Sequence, residues 1–186
     1  MRSVSLTDYY EPHYRDMRIV INRLPEIHKA AKLVMSHKDS LYLPAEKATG
    51  VPWIFWGVIH FREGSCNPKR QCWNGEFFDR VTKLVPAKRG PWPTWLAAAI
   101  ALAEHSKWIS ITKWSEPKML QCGEKHNGLG GAQRDLDSSY LWAGCHWGRK
   151  TGFWIRDHVF DPKAEDPRPG IAPIIKSIVD SGAWTP

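Results

Sequence analysis

A chain of 186 residues is sized for one domain and can bury a substantial core. Hydrophobic residues make up 42%, which excludes disorder by composition, and no apolar run is long enough for a membrane-spanning helix. The formal net charge of +7 suits a polyanionic partner, whether nucleic acid, an acidic membrane or an anionic cell wall; the basic residues are scattered, which disfavours a dedicated nucleic-acid reader.

The first eighteen residues, MRSVSLTDYYEPHYRDMR, are polar and charged, so no secretory leader is expected. Residues 16 to 38 read as helical, with Ile19, Ile21, Leu24, Ala30, Ala31, Val34 and Met35 at apolar positions and Pro25 dividing the segment. Residues 45 to 62 read as a short helix, a break near Gly50 and Val51, and a second helix with Pro52 in its first turn. That second helix, WIFWGVIHF, is apolar nearly all round, as a central helix covered on several sides would be.

Residues 64 to 93 carry Asn-Pro, Asn-Gly and Pro-Trp-Pro punctuation and read as a long irregular region, with short strands expected around FFDRVTKLV. Thr94 can cap a strong helix, TWLAAAIALAEHSKW, and Ser115 can open another that has Pro117 in its first turn. HNGLGG then reads as a glycine loop, SSYLWAGCHWG as a helix capped by Ser138 or Ser139, and IAPIIKSIVDSGAW as a closing amphipathic helix. The sum is an α+β fold, mainly α, with a central buried helix and a small irregular or stranded region. The expected organisation is one domain over residues 1–186, with 1–15 and 163–186 as peripheral arms.

Eleven tryptophans suit either a core or flat surfaces on which sugars and bases stack. The four cysteines, Cys66, Cys72, Cys122 and Cys145, allow two disulfides or free thiols. Cys122 and His126 at i, i+4 and the Cys145-His146 pair give only a weak zinc signal, since no CxxC or HxxxH is present. No metal or other cofactor is expected.

The most informative carboxylate is Glu63. It lies at the end of the apolar helix, where the helix dipole and low-dielectric surroundings both disfavour the anion. A glutamate in that setting can donate a proton to a leaving oxygen, as glycosidase general acids do. The alternative is a solvated residue paired with Arg62 or a nearby lysine. Glycoside hydrolysis usually needs a second carboxylate, and Glu76, after the Asn74-Gly75 turn, and Glu124, near a helix end, are the candidates. The glycines of HNGLGG permit close backbone approach to a ligand, and Asn127 could supply an amide there. There is no GxSxG elbow, P-loop or GxGxxG motif.

Six segments, in order, resemble a lysozyme-family group of phages and prophages. ATGVPWIFWGVIHFREGSCNP resembles that group's catalytic helix and loop, CWNGEFF its "HNGDP"-like turn, and VPAKRGPWPTW its Pro/Gly-rich segment before "FTW". GEKHNGLGG resembles "E-x-Y-N-G-x-G-Y", SSYLWAG resembles "SPYLW", and GFWIRDHVFDP the closing "GKYVADGxFDP". The similarity runs from about residue 8 to about residue 162. The group is similar in turn to goose-type lysozymes and lytic transglycosylases.

The resemblance implies a lysozyme-like fold and cleavage of the β-1,4 bond between N-acetylmuramic acid and N-acetylglucosamine in peptidoglycan. It implies Glu63 as general acid, Glu76 and Glu124 as further catalytic candidates, and Ser65, Asn74, Asn127, Gly128 and Tyr140 as substrate-binding residues. It also implies action on the bacterial wall after delivery by a holin or by the virion. Two departures stand out: Gly64 occupies the position of the serine that follows the acid, and His126 that of the tyrosine before Asn-Gly. The competing expectation is a non-catalytic module that binds cell wall or nucleic acid.

Overall fold

The computed structural model describes residues 3–148, 152–156 and 159–185. Helix accounts for 56% and strand for 4%, so the fold is mainly α. In chain order the elements are α1 (Glu11–Arg15), α2 (Leu24–Ser36), α3 (Leu43–Thr49), α4 (Trp53–Gly64), α5 (Trp95–His105), α6 (Glu116–Asn127), α7 (Gly130–Gln133), α8 (Ser139–Trp142), β1 (Phe153–Arg156), β2 (Val159–Asp161) and α9 (Ile171–Asp180). They fall into two compact units: Met1–Ala31 together with Ser115–Pro186, and Lys32–Trp114. No helix among the described residues is long and apolar enough to cross a membrane.

In the continuous unit, Lys32–Trp114, local signals set the helices. Gly50 ends α3 in the left-handed region at φ 72, where a β-carbon would be strained, and its N–H bonds to Glu46 O at 2.7 Å. The Glu46 carboxylate then accepts the N–H of Trp53 at 3.1 Å, satisfying an orphan donor at the start of α4. Pro52 occupies the N-cap position of α4, one residue earlier than the sequence suggests. Every residue of α4 from Trp53 to His60 is buried, as its all-round apolar pattern requires. Aromatic rings close around it: Phe55 against Trp108 and Trp114, Trp56 against Trp95 and Trp108, His60 against Tyr42 and Trp95. Trp53, Trp56, Trp73, Trp95 and Trp108 are all buried, so much of the tryptophan load is core. Thr94 caps α5, its hydroxyl accepting the N–H of Ala97 at 3.1 Å.

The discontinuous unit is organised on α6, which Ser115 caps by accepting the N–H of Lys118, with Pro117 in the first turn. Packed against α6 are α1, α8, α9 and the turn Leu6–Tyr10. Tyr9, Tyr10, Ile171, Ile174, Ile175 and Ile178 are buried, so residues 1–15 and 163–186 supply core rather than peripheral arms.

Three other expectations change. Pro25 sits in the first turn of α2, where a missing N–H is harmless, so it begins that helix instead of dividing it. SSYLWAGCHWG forms one turn of α-helix, α8, not a longer helix. No strand forms around FFDRVTKLV, where the one pairing is an isolated bridge between Arg70 and Phe77. The antiparallel pair is β1–β2, with Phe153 opposite Asp161 and Trp154 opposite Phe160. It falls in the segment GFWIRDHVFDP, of which Asp157 and His158 lie outside the described residues.

Candidate functional site

The expected site residues divide between the units: Glu63, Ser65, Asn74 and Glu76 in one, Glu124, Asn127, Gly128 and Tyr140 in the other. Each group has its own geometry.

Glu63 is half-buried in the last turn of α4. The helix ends in a double wrap, with Ser65 N–H bonding to Phe61 O at 3.0 Å and Cys66 N–H to His60 O at 3.3 Å. This wrap places two non-glycine residues, Ser65 at φ 53 and Cys66 at φ 56, in the left-handed region. Consecutive strained positions of this kind persist only where the surroundings hold them, and they concentrate at functional sites. Gly64 has a packing reason to be glycine. A β-carbon there would stand 2.9 Å from Arg70 Cβ and 3.2 Å from His60 Cδ2, so a serine in this place would displace the Arg70 stem.

The turn after the acid is built by Gln71, a residue without a sequence signal. Gln71 is fully buried. Its Oε1 accepts the N–H groups of Trp73 at 2.6 Å and Asn74 at 3.2 Å, and its Nε2 donates to Asn74 Oδ1 at 2.7 Å. Asn74 is committed on every side. Its Oδ1 also accepts Glu76 N–H, and its Nδ2 donates to Glu76 Oε2 and to Leu84 O. The amide expected to bind sugar is therefore a scaffold element.

Glu76 plays a similar part. Its carboxylate accepts the N–H of Leu84 at 2.9 Å on Oε2 and the N–H of Lys83 on both oxygens, at 2.9 and 3.2 Å. These charge-assisted bonds fold the following loop back on the turn. They also remove the N–H groups of Lys83 and Leu84 from any strand ladder through FFDRVTKLV.

Behind Glu63 lies a buried polar chain. His60 Nε2 is 2.9 Å from Asn67 O, a pure acceptor, so Nε2 carries the proton and Nδ1 accepts from the Tyr42 hydroxyl at 3.0 Å. The Cys66 thiol lies beside the same hydroxyl. Burial pushes His60 down to about 4, against a smaller upward pull from its backbone partners, so it is neutral at pH 7. Burial pushes Cys66 up to about 11 and Cys72 well above its ordinary value, the latter helped by the neighbouring Glu63. All four cysteines are free and buried.

In the other unit Glu124 is fully buried, and Tyr10 donates to its Oε2 at 2.5 Å. Asn127 and Gly128 are exposed at the end of α6, with open space around the Gly128 α-carbon, while Tyr140 is buried in α8. Tyr9, also missed as a polar anchor, donates to Asp137 Oδ1 at 2.5 Å and accepts from Trp142 Nε1 at 3.0 Å. A cavity of about 300 Å³ in this unit is lined by Arg23, Cys145 and Asp166 among others, and by none of the expected site residues. Among the described residues no cluster of three or more His, Cys, Asp or Glu could hold a metal ion.

Chemically, the arrangement offers one half-buried carboxyl, Glu63, at a helix end flanked by a tightly hydrogen-bonded turn. No protein-family model, curated protein or solved structure matches this chain.

Proposed function

We propose that the protein cleaves peptidoglycan glycan strands at the bond between N-acetylmuramic acid and N-acetylglucosamine, with Glu63 as the general acid. The reading rests on the order of the six resembling segments. The observation that carries it is the difference between its three carboxylates. Glu76 is bonded to backbone N–H groups, and Glu124 is sealed beneath Tyr10. Glu63 is half-buried at the end of a buried helix, so part of it stays open to solvent. A positive net charge favours approach to an anionic wall, more strongly at low salt.

With Glu76 and Glu124 so engaged, the proposed mechanism uses one carboxylate. Glu63 protonates the leaving oxygen, then serves as base for the 6-hydroxyl of the muramic acid, which closes a 1,6-anhydro ring. The lysozyme-like fold and action at the bacterial wall belong to the same proposal.

The test compares wild type and Glu63→Gln on purified peptidoglycan, following turbidity and the masses of released muropeptides. The expected outcome is anhydro products, lighter by one water than hydrolysis products, and a loss of about 10²-fold or more in the variant. Undiminished cleavage by Glu63→Gln overturns the assignment of the acid. Pelleting on walls without cleavage by the wild type favours a binding module instead.

A further inference from the structure

The loop DRVTKLVPAKRGP, residues 79–91, has an unusual distribution of side chains. Its interior is polar and its tip apolar. Thr82 is 2% exposed and organises the inside. Its N–H bonds to Arg89 O and its carbonyl accepts from Lys88 N–H, both at 2.9 Å. Its hydroxyl donates to Pro86 O at 2.8 Å and accepts Arg89 N–H at 3.0 Å. The Glu76 carboxylate and Asn74 amide hold the Lys83–Leu84 side. The chain returns at Gly90, at φ 75, where a β-carbon would strike the Trp92 ring at 2.8 Å.

This wiring leaves the apolar side chains facing water. Val85 is 90% exposed, Leu84 55% and Val81 47%. Apolar groups normally fold inward, and a hydrogen-bonded loop that holds them outward is a shaped protrusion. Around the tip stand Arg80, Lys83 and Lys88, all exposed, and Arg89, whose guanidinium lies over the Trp73 ring at 5.3 Å. The segment's one acid, Asp79, is paired with Arg80.

A partner for this protrusion must supply negative charge at its surface and an apolar medium just beneath. A soluble polyanion supplies only the charge and would leave Leu84 and Val85 in water. An anionic lipid bilayer supplies both. We infer that residues 79–91 form a membrane-docking finger, with Leu84 and Val85 inserting below the headgroups of an anionic bilayer and Arg80, Lys83 and Lys88 resting at the phosphates. The inference does not depend on glycan cleavage.

The test uses the full chain with lipid vesicles and needs no enzymatic readout. Sedimentation with phosphatidylcholine vesicles containing about one third phosphatidylglycerol is compared with pure phosphatidylcholine; binding about tenfold tighter to the anionic vesicles is expected. The double variant Leu84→Asp/Val85→Asp should lose about tenfold in that affinity and keep the wild-type melting temperature, since both sites are exposed. Because the native thiols are buried, Val85→Cys can be labelled selectively with an environment-sensitive dye, whose emission should shift to the blue on anionic vesicles. Equal binding by the double variant, absence of vesicle binding, or salt-sensitive adsorption without a blue shift would each overturn the inference; the last would mark a general polyanion surface.

Discussion

A β-carbon on Gly75 would stand 2.1 Å from the carbonyl oxygen of Glu63 and 2.8 Å from its carbonyl carbon. The turn that follows the candidate acid is thus pressed directly onto the end of its helix. Gly75→Ala should destabilise the protein by roughly 2–5 kcal/mol, from left-handed strain plus overpacking. Gly50→Ala separates the two effects. Gly50 has nearly the same φ, 72 against 75, but nothing within 4 Å of its β-position. Its loss should be only about 1 kcal/mol. Urea unfolding of the two variants measures the difference; equal losses would mean the contact with Glu63 contributes nothing.

Glu76→Ala should cost about 2 kcal/mol through the lost carboxylate bonds to Lys83 and Leu84. It should also expose the 79–91 loop to trypsin at Lys83, Lys88 and Arg89, so the rate of nicking reads the same clamp. A Glu76→Gln variant that retains wild-type stability but loses glycan cleavage would instead make Glu76 a second catalytic carboxylate.

His60 should make stability fall with pH. Its folded value is near 4 and its unfolded value near 6.5, so the unfolded chain binds the proton first as pH drops. The stabilisation is intact above about pH 6.5 and is lost progressively towards pH 4, about 3 kcal/mol in all from this one group. NMR titration should show the His60 ring signals unchanged down to about pH 5. A midpoint near 6.5 would contradict the buried Tyr42–His60–Asn67 chain.

The four thiols are buried and their pKa values are raised by burial, Cys66, Cys122 and Cys145 to about 11. The thiolate is the reactive form, so native protein at neutral pH should take up almost no iodoacetamide. In denaturant without reductant all four should react, as mass spectrometry would count. Two unreactive positions at Cys66 and Cys72 would reveal a disulfide.

What could be read from the sequence was local. Gly50, Thr94 and Ser115 mark helix ends through bonds to residues three or four away, and α4 announces itself by apolar side chains on every face. Glu63 at the end of α4 was legible for the same reason. The irregular region was not, because Gln71, Glu76 and Thr82 bind backbone groups in ways no periodicity reports. Asn74 has the residue type of a sugar ligand, and only its four internal bonds reveal a scaffold. The opening residues looked like a polar arm because the partners of Tyr9 and Tyr10 lie more than a hundred residues further on.

The discontinuity of the α6 unit also sets a timetable for the newborn chain. Residues 32–114 are contiguous, so their unit is complete once Trp114 has left the ribosome. The other unit cannot assemble on that schedule. Tyr10 emerges before any of this contiguous stretch, yet its acceptor, Glu124, is made 114 positions after it. Residues 32–114 are therefore equipped to fold before the discontinuous unit that flanks them, and Tyr9 and Tyr10 must wait in solution until α6 and Asp137 arrive.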